Sequence, residues 1–352
     1  PGIIGGVALL DLGGIGSACA LAVMSQHLLG GILLAITAFI AIGVGVGAAG
    51  TSLLTLLALQ VSPQRRAPAA TILWTMMIMS FVITTATAGH FLDPFSMSRL
   101  IIVTSTVAAL ALAVTVVALV GIERSPAQCP ALPNVAGSTQ CQMRFSAALA
   151  TILSEEKTRR FTLFVFASML AYSAQDLILE PFAGVVFGMT PGASTQLTSV
   201  QHSGVLAGMV LVALMGGSEF GRRLVSLRGW TLLGCYGSML ALASLAAAAR
   251  IGPPWPLHAS VFVLGFANGV FTIAAIGSMM SLASEGKARS EGMRMGLWGA
   301  AQAIAFGVGG LLGTVAVDVA SLLTGSANAA YGWVFALDAC LFAVAAHAAA
   351  RV

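Results

Sequence analysis

Charge is what this sequence has least of. Asp, Glu, Lys and Arg make up 8% of its 352 residues, as 16 basic and 12 acidic side chains. A soluble domain carries about a quarter charged residues, because a folded surface has to be wetted. So few charges cannot cover a water-facing surface of this size, which excludes a soluble globular fold and leaves lipid to face most of the chain. Motifs of enzyme chemistry are missing too: the sequence holds no Walker phosphate loop, no HExxH, no paired CxxC and no nucleophile elbow. No catalytic role, metal, nucleotide or nucleic acid is expected. The five cysteines are scattered; Cys19, Cys235 and Cys340 lie in apolar segments, and Cys129 and Cys141 share a loop without metal-ligand spacing. Free thiols are the expectation. The initiating Met is also lacking, and Pro1 leads into an apolar segment with neither the basic flank nor the cleavage site of a signal peptide. Further sequence is therefore expected upstream.

What the chain does have is apolar residues, 58% of it, gathered into ten runs near 3–25, 31–60, 69–90, 99–121, 162–188, 199–217, 229–249, 258–284, 294–316 and 330–350. Each is long enough for the roughly 20 residues that cross a bilayer core. Helices satisfy their own backbone there, so the expected fold class is an all-α polytopic membrane protein. Alternating the ten spans puts Arg65, Arg66, Arg124, Arg144, Lys157, Arg159, Arg160, Arg222, Arg223, Arg228, Lys287, Arg289, Arg294 and Arg351 on one side, and only Arg99 and Arg250 on the other. A miscounted span would destroy that asymmetry. The positive-inside rule makes the rich side cytoplasmic, together with both ends of the chain.

A long polar segment, 122–161, carries Pro126, Pro130 and Pro133 and then a candidate surface helix from Met143 to Lys157. It divides the spans into four before and six after, giving an N-terminal bundle (1–121), a cytoplasmic central loop (122–161) and a C-terminal six-helix bundle (162–352). A faint repeat crosses the divide: Arg65-Arg66 precedes Trp74 with Gly89 beyond it, and Arg289 precedes Trp298 with Gly313 beyond it. Major facilitator transporters have two six-helix halves joined by a long cytoplasmic loop. The 4+6 pattern is therefore read as ten spans of a 12-helix major facilitator-like parent whose first two helices are not in this chain.

Gly45, Gly47 and Gly50 match GxGxxG, but they sit inside one apolar run, where small residues let helices approach closely rather than cradle a nucleotide. The runs at Gly13, Gly14 and Gly16 and at Gly307, Gly309, Gly310 and Gly313 read the same way. Acids inside spans carry more information, since a charge there is costly. They are Asp11, Asp176, Glu180 and Asp338. Asp176 and Glu180 are four apart and share a helix face, with Tyr172 and Gln175 on the same stripe. Two ionised acids there would repel, so a cation, a donor or a shared proton is required. A ligand or proton site and an interhelical hydrogen-bond cluster both meet that requirement. Of the five histidines, His27, His90, His258 and His347 lie near span ends; His202 follows Gln201 just inside a span, and its neutral imidazole is a candidate axial ligand for a pigment magnesium. The pairs Arg65-Arg66 and Arg222-Arg223, with Lys287 and Arg289, set topology and are candidates for charge pairs between bundles.

The run YSAQDLILEPFAGVVFGMTPGASTQL at 172–197, followed by QHSGVLAGM at 201–209, resembles the PucC/LhaA family, a branch of the major facilitator superfamily in phototrophic bacteria. VSPQRRAPAATILWTMMI at 61–78 and DPFSMSRLI at 93–101 are similar to the same family. The resemblance implies an assembly factor for bacterial light-harvesting antenna complexes, in the inner, photosynthetic membrane. Its implied partners are antenna polypeptides and the reaction centre, and its implied cargo is bacteriochlorophyll. Gln175, Asp176, Glu180 and Pro181 carry over as members of the matching motif. Two alternatives stand beside this reading: a proton-coupled secondary transporter of a small solute, and a structural subunit of a photosynthetic pigment–protein complex. Near-absence of Lys and Arg from the spans leaves an anionic solute without a counter-charge.

The charge asymmetry is open to a direct test. Green fluorescent protein fused within 122–154 should fluoresce, and alkaline phosphatase inserted at 252–256 should be active; the reverse pattern would invert the topology.

Overall fold

A chain in a bilayer has no water to satisfy its amides, and the described residues meet that constraint with helix. The structure, a computed structural model, describes residues 2–61, 66–120, 155–217, 225–284 and 291–351. Ten helices follow in order: α1 (Gly2–Met24), α2 (Leu28–Gln60), α3 (Arg66–Leu92), α4 (Met97–Leu119), α5 (Glu156–Phe187), α6 (Pro191–Gly217), α7 (Leu227–Ile251), α8 (Leu257–Ser284), α9 (Glu291–Thr324) and α10 (Ala327–Ala349). Each of the ten expected spans coincides with one helix, and each helix is long and apolar enough to cross a membrane. This is a multi-pass membrane protein.

Differences from the expected bounds have local causes. α5 starts at Glu156 rather than 162, because its polar first turn is held by an ion pair between Glu156 and Arg160 and by the Thr158 hydroxyl donating to Glu155 at 3.0 Å. Such i,i+4 pairs support helix without apolar character. α9 continues past Asp318, where hydropathy falls, and stops only before Gly325, whose φ of 65° suits a left-handed cap. Arg65, Arg222, Arg223 and Arg289 lie outside the described residues, as do most of the central loop and its candidate surface helix; Arg66 opens α3, but its side chain also lies outside the description.

The helices form two compact units. The first holds α1, α2, α4 and the two ends of α3. There α1 lies along α2 at glycines: a methyl on Gly13 would stand 2.7 Å from the Ala38 carbonyl, and one on Gly45 would stand 2.6 Å from the Leu10 amide. Gly47 and Gly50 of the GxGxxG match have open space instead. Only Gly45 thus serves the close approach expected of that motif.

The second unit holds Ile78–Ala86 of α3 and all of α5–α10. Its core is aromatic and aliphatic, built on the buried Phe164, Phe182, Leu245, Phe271, Phe335 and Phe342. Edge-to-face pairs tie helices together, Phe182 to Phe335 at 4.9 Å and Phe271 to Phe342 at 5.6 Å. Trp298 is fully buried against Phe161, whereas Trp74 in the sequence echo is exposed, so the two tryptophans do different packing work.

The tightest contact joins α6 to α8. Gly204 and Gly208 on α6, and Gly265 and Gly269 on α8, form two facing GxxxG pairs. A Cβ on any of the four would collide with a backbone carbonyl of the other helix: Phe262 and Phe266 for the first pair, Gln201 and Val205 for the second. Without side chains between them, the backbones come close enough for Cα–H···O contacts.

Gly265→Ala should therefore lower thermal stability in detergent by about 1–3 kcal/mol, the usual range for overpacking. Gly47→Ala, with nothing within 4 Å of the new methyl, should be neutral or slightly stabilising. Equal effects of the two would refute the packing argument.

Candidate functional site

α5 ends where Gly188 turns left-handed (φ 67°) and its amide returns to the carbonyl of Gly184, at 3.1 Å. After a three-residue connection, Pro191 opens α6, with the Thr190 hydroxyl accepting from the Ala193 amide at 3.2 Å. Proline suits the first helical turn, where its missing N–H has no partner to lose. So short a connection lays α6 back along α5. Glu180 stands seven residues before Phe187 and Thr198 seven after Pro191, which puts both about 10 Å inside the helix ends.

Thr198 is the hinge of the cluster formed there. Its hydroxyl donates to Glu180 Oε1 at 2.7 Å, and its carbonyl accepts from His202 Nδ1 at 2.9 Å. A carbonyl can only accept, so Nδ1 carries a hydrogen, and in the neutral imidazole the lone pair is on Nε2. One turn further along α5, Asp176 Oδ1 accepts from Gln201 Nε2 at 3.3 Å. The Phe81 ring of α3 meets the His202 ring edge-on at 5.2 Å, and Tyr172 lies 5.8 Å from the ring of Phe306 on α9. Gln201 is 1% exposed, and its Oε1 has no hydrogen-bond partner. Turning the amide over would set that oxygen against the Asp176 carboxylate, so it stays an unmet acceptor beside two acids. His202 is buried, while His27, His90, His258 and His347 are exposed.

The structure thus gathers Asp176, Glu180, Gln201 and His202 at one place, with Tyr172 one turn along the same face of α5. Gln175 does not join them. It points into the core of the six-helix unit, wholly buried, with neither amide atom paired. Consecutive helical residues diverge by about 100°, which a stripe drawn through Tyr172, Gln175 and Asp176 overlooks. Asp176 is also not the buried acid expected of a span, since its side chain is exposed in the isolated chain and Glu180 is half-buried. Asp11 on α1 and Asp338 on α10 are buried, each with Oδ2 unpaired. Sequence reasoning missed Thr198, although it lies three and four residues before Gln201 and His202 on the same helix. It also missed the facing glycines that place α6, although Gly204 with Gly208 and Gly265 with Gly269 each have GxxxG spacing.

A sequence profile for the family described as PUCC protein matches residues 2–352. The Rhodobacter capsulatus protein named bacteriochlorophyll synthase 44.5 kDa chain is 45% identical, over 99% of this chain and 79% of its own length. Protein PucC of Cereibacter sphaeroides is 27% identical, over 94% of this chain and 69% of its own. Among solved structures, the E. coli fucose:proton symporter superposes with a TM-score of 0.62 at 16% identity, covering 99% of this chain and 83% of its own. That likeness shows the major facilitator fold.

The Thr198–Glu180 bond lends itself to a double-mutant cycle. Thr198→Val and Glu180→Leu should couple by about 1 kcal/mol in thermal unfolding, as interhelical bonds in membranes do. Simple additivity would show that the contact contributes nothing.

Proposed function

Because the chain belongs to the PucC family, we propose that it is an assembly factor for bacterial light-harvesting antenna complexes, binding antenna polypeptides in the photosynthetic membrane and holding bacteriochlorophyll as they are built. One observation carries the pigment half of this reading. His202 is buried, and its tautomer is fixed by the Thr198 carbonyl so that Nε2 keeps a lone pair. Neutral imidazole with its other nitrogen bonded to a carbonyl is a common form of the metal-ligating histidine. The donor set fits the pigment: His202 would serve its magnesium, the unpaired Gln201 Oε1 would accept from its donors or from water, and Tyr172 offers an aromatic surface. When bound, the pigment supplies the light-absorbing macrocycle; the chain holds and orients it and keeps bulk water away. Asp176 and Glu180, engaged by Gln201 and Thr198, stiffen the α5–α6 pair that carries His202.

The name of the R. capsulatus relative speaks of synthesis. For this chain we propose a non-catalytic role, since no motif of covalent or phosphoryl chemistry occurs in it. The reaction centre is a second proposed partner, and the basic side of the chain is proposed to face the cytoplasm.

An absorption spectrum of the protein gently purified from its native membrane tests the proposal. Stoichiometric bacteriochlorophyll with co-purifying antenna peptides is the expected result. Neither component, together with pH-gradient-driven solute uptake in liposomes, would replace assembly by transport. Formation of pigment from a precursor by the purified chain would overturn the non-catalytic role. At residue level, Asp176→Asn with Glu180→Gln should lower antenna content several-fold while leaving the protein inserted. Normal antenna levels would reduce the pair to structural hydrogen bonding.

A further inference from the structure

The six-helix unit buries a second set of polar groups that the α5–α6 cluster does not use. Asp338 on α10 is 2% exposed, and its Oδ2 has no partner. Asn268 on α8 is wholly buried; its Oδ1 accepts from the Ser238 hydroxyl of α7 at 2.8 Å, while its Nδ2 has no partner. Gln175 on α5 is equally buried, with both amide atoms unpaired.

Ring contacts between the helices set these groups at a common depth. On α10, Asp338 lies between Phe335 and Phe342 on one face. Phe342 meets Phe271, and Asn268 is three residues before Phe271 on α8, which runs parallel to α10. At 1.5 Å per residue, Asp338 and Asn268 differ in depth by about 2 Å. Phe335 meets Phe182, and Gln175 is two turns before Phe182 on the antiparallel α5, so it stands about 6 Å from the Asp338 level, within reach of its long side chain. Four helices thus bring polar side chains into one layer of an otherwise apolar core.

The unpaired set is complementary in kind: an amide donor on Asn268, a donor and an acceptor on Gln175, and a carboxyl oxygen on Asp338. They are not bonded to one another, and a small species able both to donate and to accept, such as water, would satisfy them all. Among the described residues, no counter-charge faces Asp338. Among the described residues of this unit, Lys157, Arg159, Arg160, Arg228, Arg250 and Arg351 all lie near helix ends. Of the titratable groups on helices packed against α10, Cys235 of α7 is buried in the same core. Tyr172 and Glu180 of α5 are half-buried in the α5–α6 site, and Asp176 of α5, Tyr236 of α7, His258 of α8 and Asp318 of α9 are exposed. On α10 itself Tyr331 is buried two turns away, and Cys340 and His347 are exposed. A carboxylate so placed has nothing to balance it, whereas a carboxylic acid becomes a donor as well as an acceptor and completes the layer.

We propose that Gln175, Ser238, Asn268 and Asp338 enclose an internal water site in the six-helix unit, and that Asp338 holds its exchangeable proton there. The site is separate from the Asp176–His202 cluster and does not depend on the pigment reading.

Infrared absorption of the lipid-reconstituted protein, in H2O and then D2O, tests this. The wild-type protein at neutral pH should show a carboxylic-acid C=O stretch that moves to lower frequency in D2O. It should vanish in Asp338→Asn and persist in Asp176→Asn. An unchanged spectrum in Asp338→Asn, or a band indifferent to D2O, would overturn the proposal. Should Asp338→Asn fail to accumulate, Asn268→Leu removes one wall of the site and leaves the acid in place. The band should then shift; an unmoved band would show that Asn268 and Asp338 share no water.

Discussion

The approach of α6 to α8 governs the second unit. Where Gly265 would carry a Cβ, the carbonyl of Gln201 is already present, and Gly204, Gly208 and Gly269 meet their facing carbonyls in the same way. Lipid supplies no hydrophobic drive for helices to associate, since its tails are as apolar as leucine, and close backbone contact has to do that work. The result reaches the Asp176–His202 cluster directly. Gln201 and His202 are held by a helix that cannot slide along or roll on α8, so the amide facing Asp176 and the imidazole beside Phe81 are positioned by backbone rather than by their own side-chain bonds.

Much of the architecture was legible in the sequence because the constraint behind it is coarse. A bilayer asks for about 20 apolar residues per crossing and leaves water-soluble breaks between crossings, and both can be counted. Helix ends were harder, since they depend on local chemistry. The ion pair of Glu156 with Arg160 extends α5 through polar sequence, and α9 passes Asp318 because nothing stops a helix there until Gly325.

The cluster was legible only in part. Spacing of four correctly placed Asp176 and Glu180 on one face of α5, and the chain's order brought Gln201 and His202 opposite. It could not say that Gln175 faces the other way, because which side of α5 meets the core depends on the helices packed around it. Nor could it single out Thr198, one among many threonines whose hydroxyls in a helix turn back to a carbonyl. Its bond to Glu180 exists because the three-residue connection after Phe187 sets both residues at one depth. Tertiary register, not residue type, makes it part of the site.

That same register grades the surface of α5. Moving from the turn at Gly188 toward the middle of the helix, one face presents a half-buried carboxyl at Glu180, an exposed one at Asp176 and then the half-buried phenol of Tyr172, each one helical turn apart. Polarity therefore declines along the path while aromatic character rises. The two ends of this face thus differ in chemistry, acidic toward Gly188 and aromatic toward the middle of the helix.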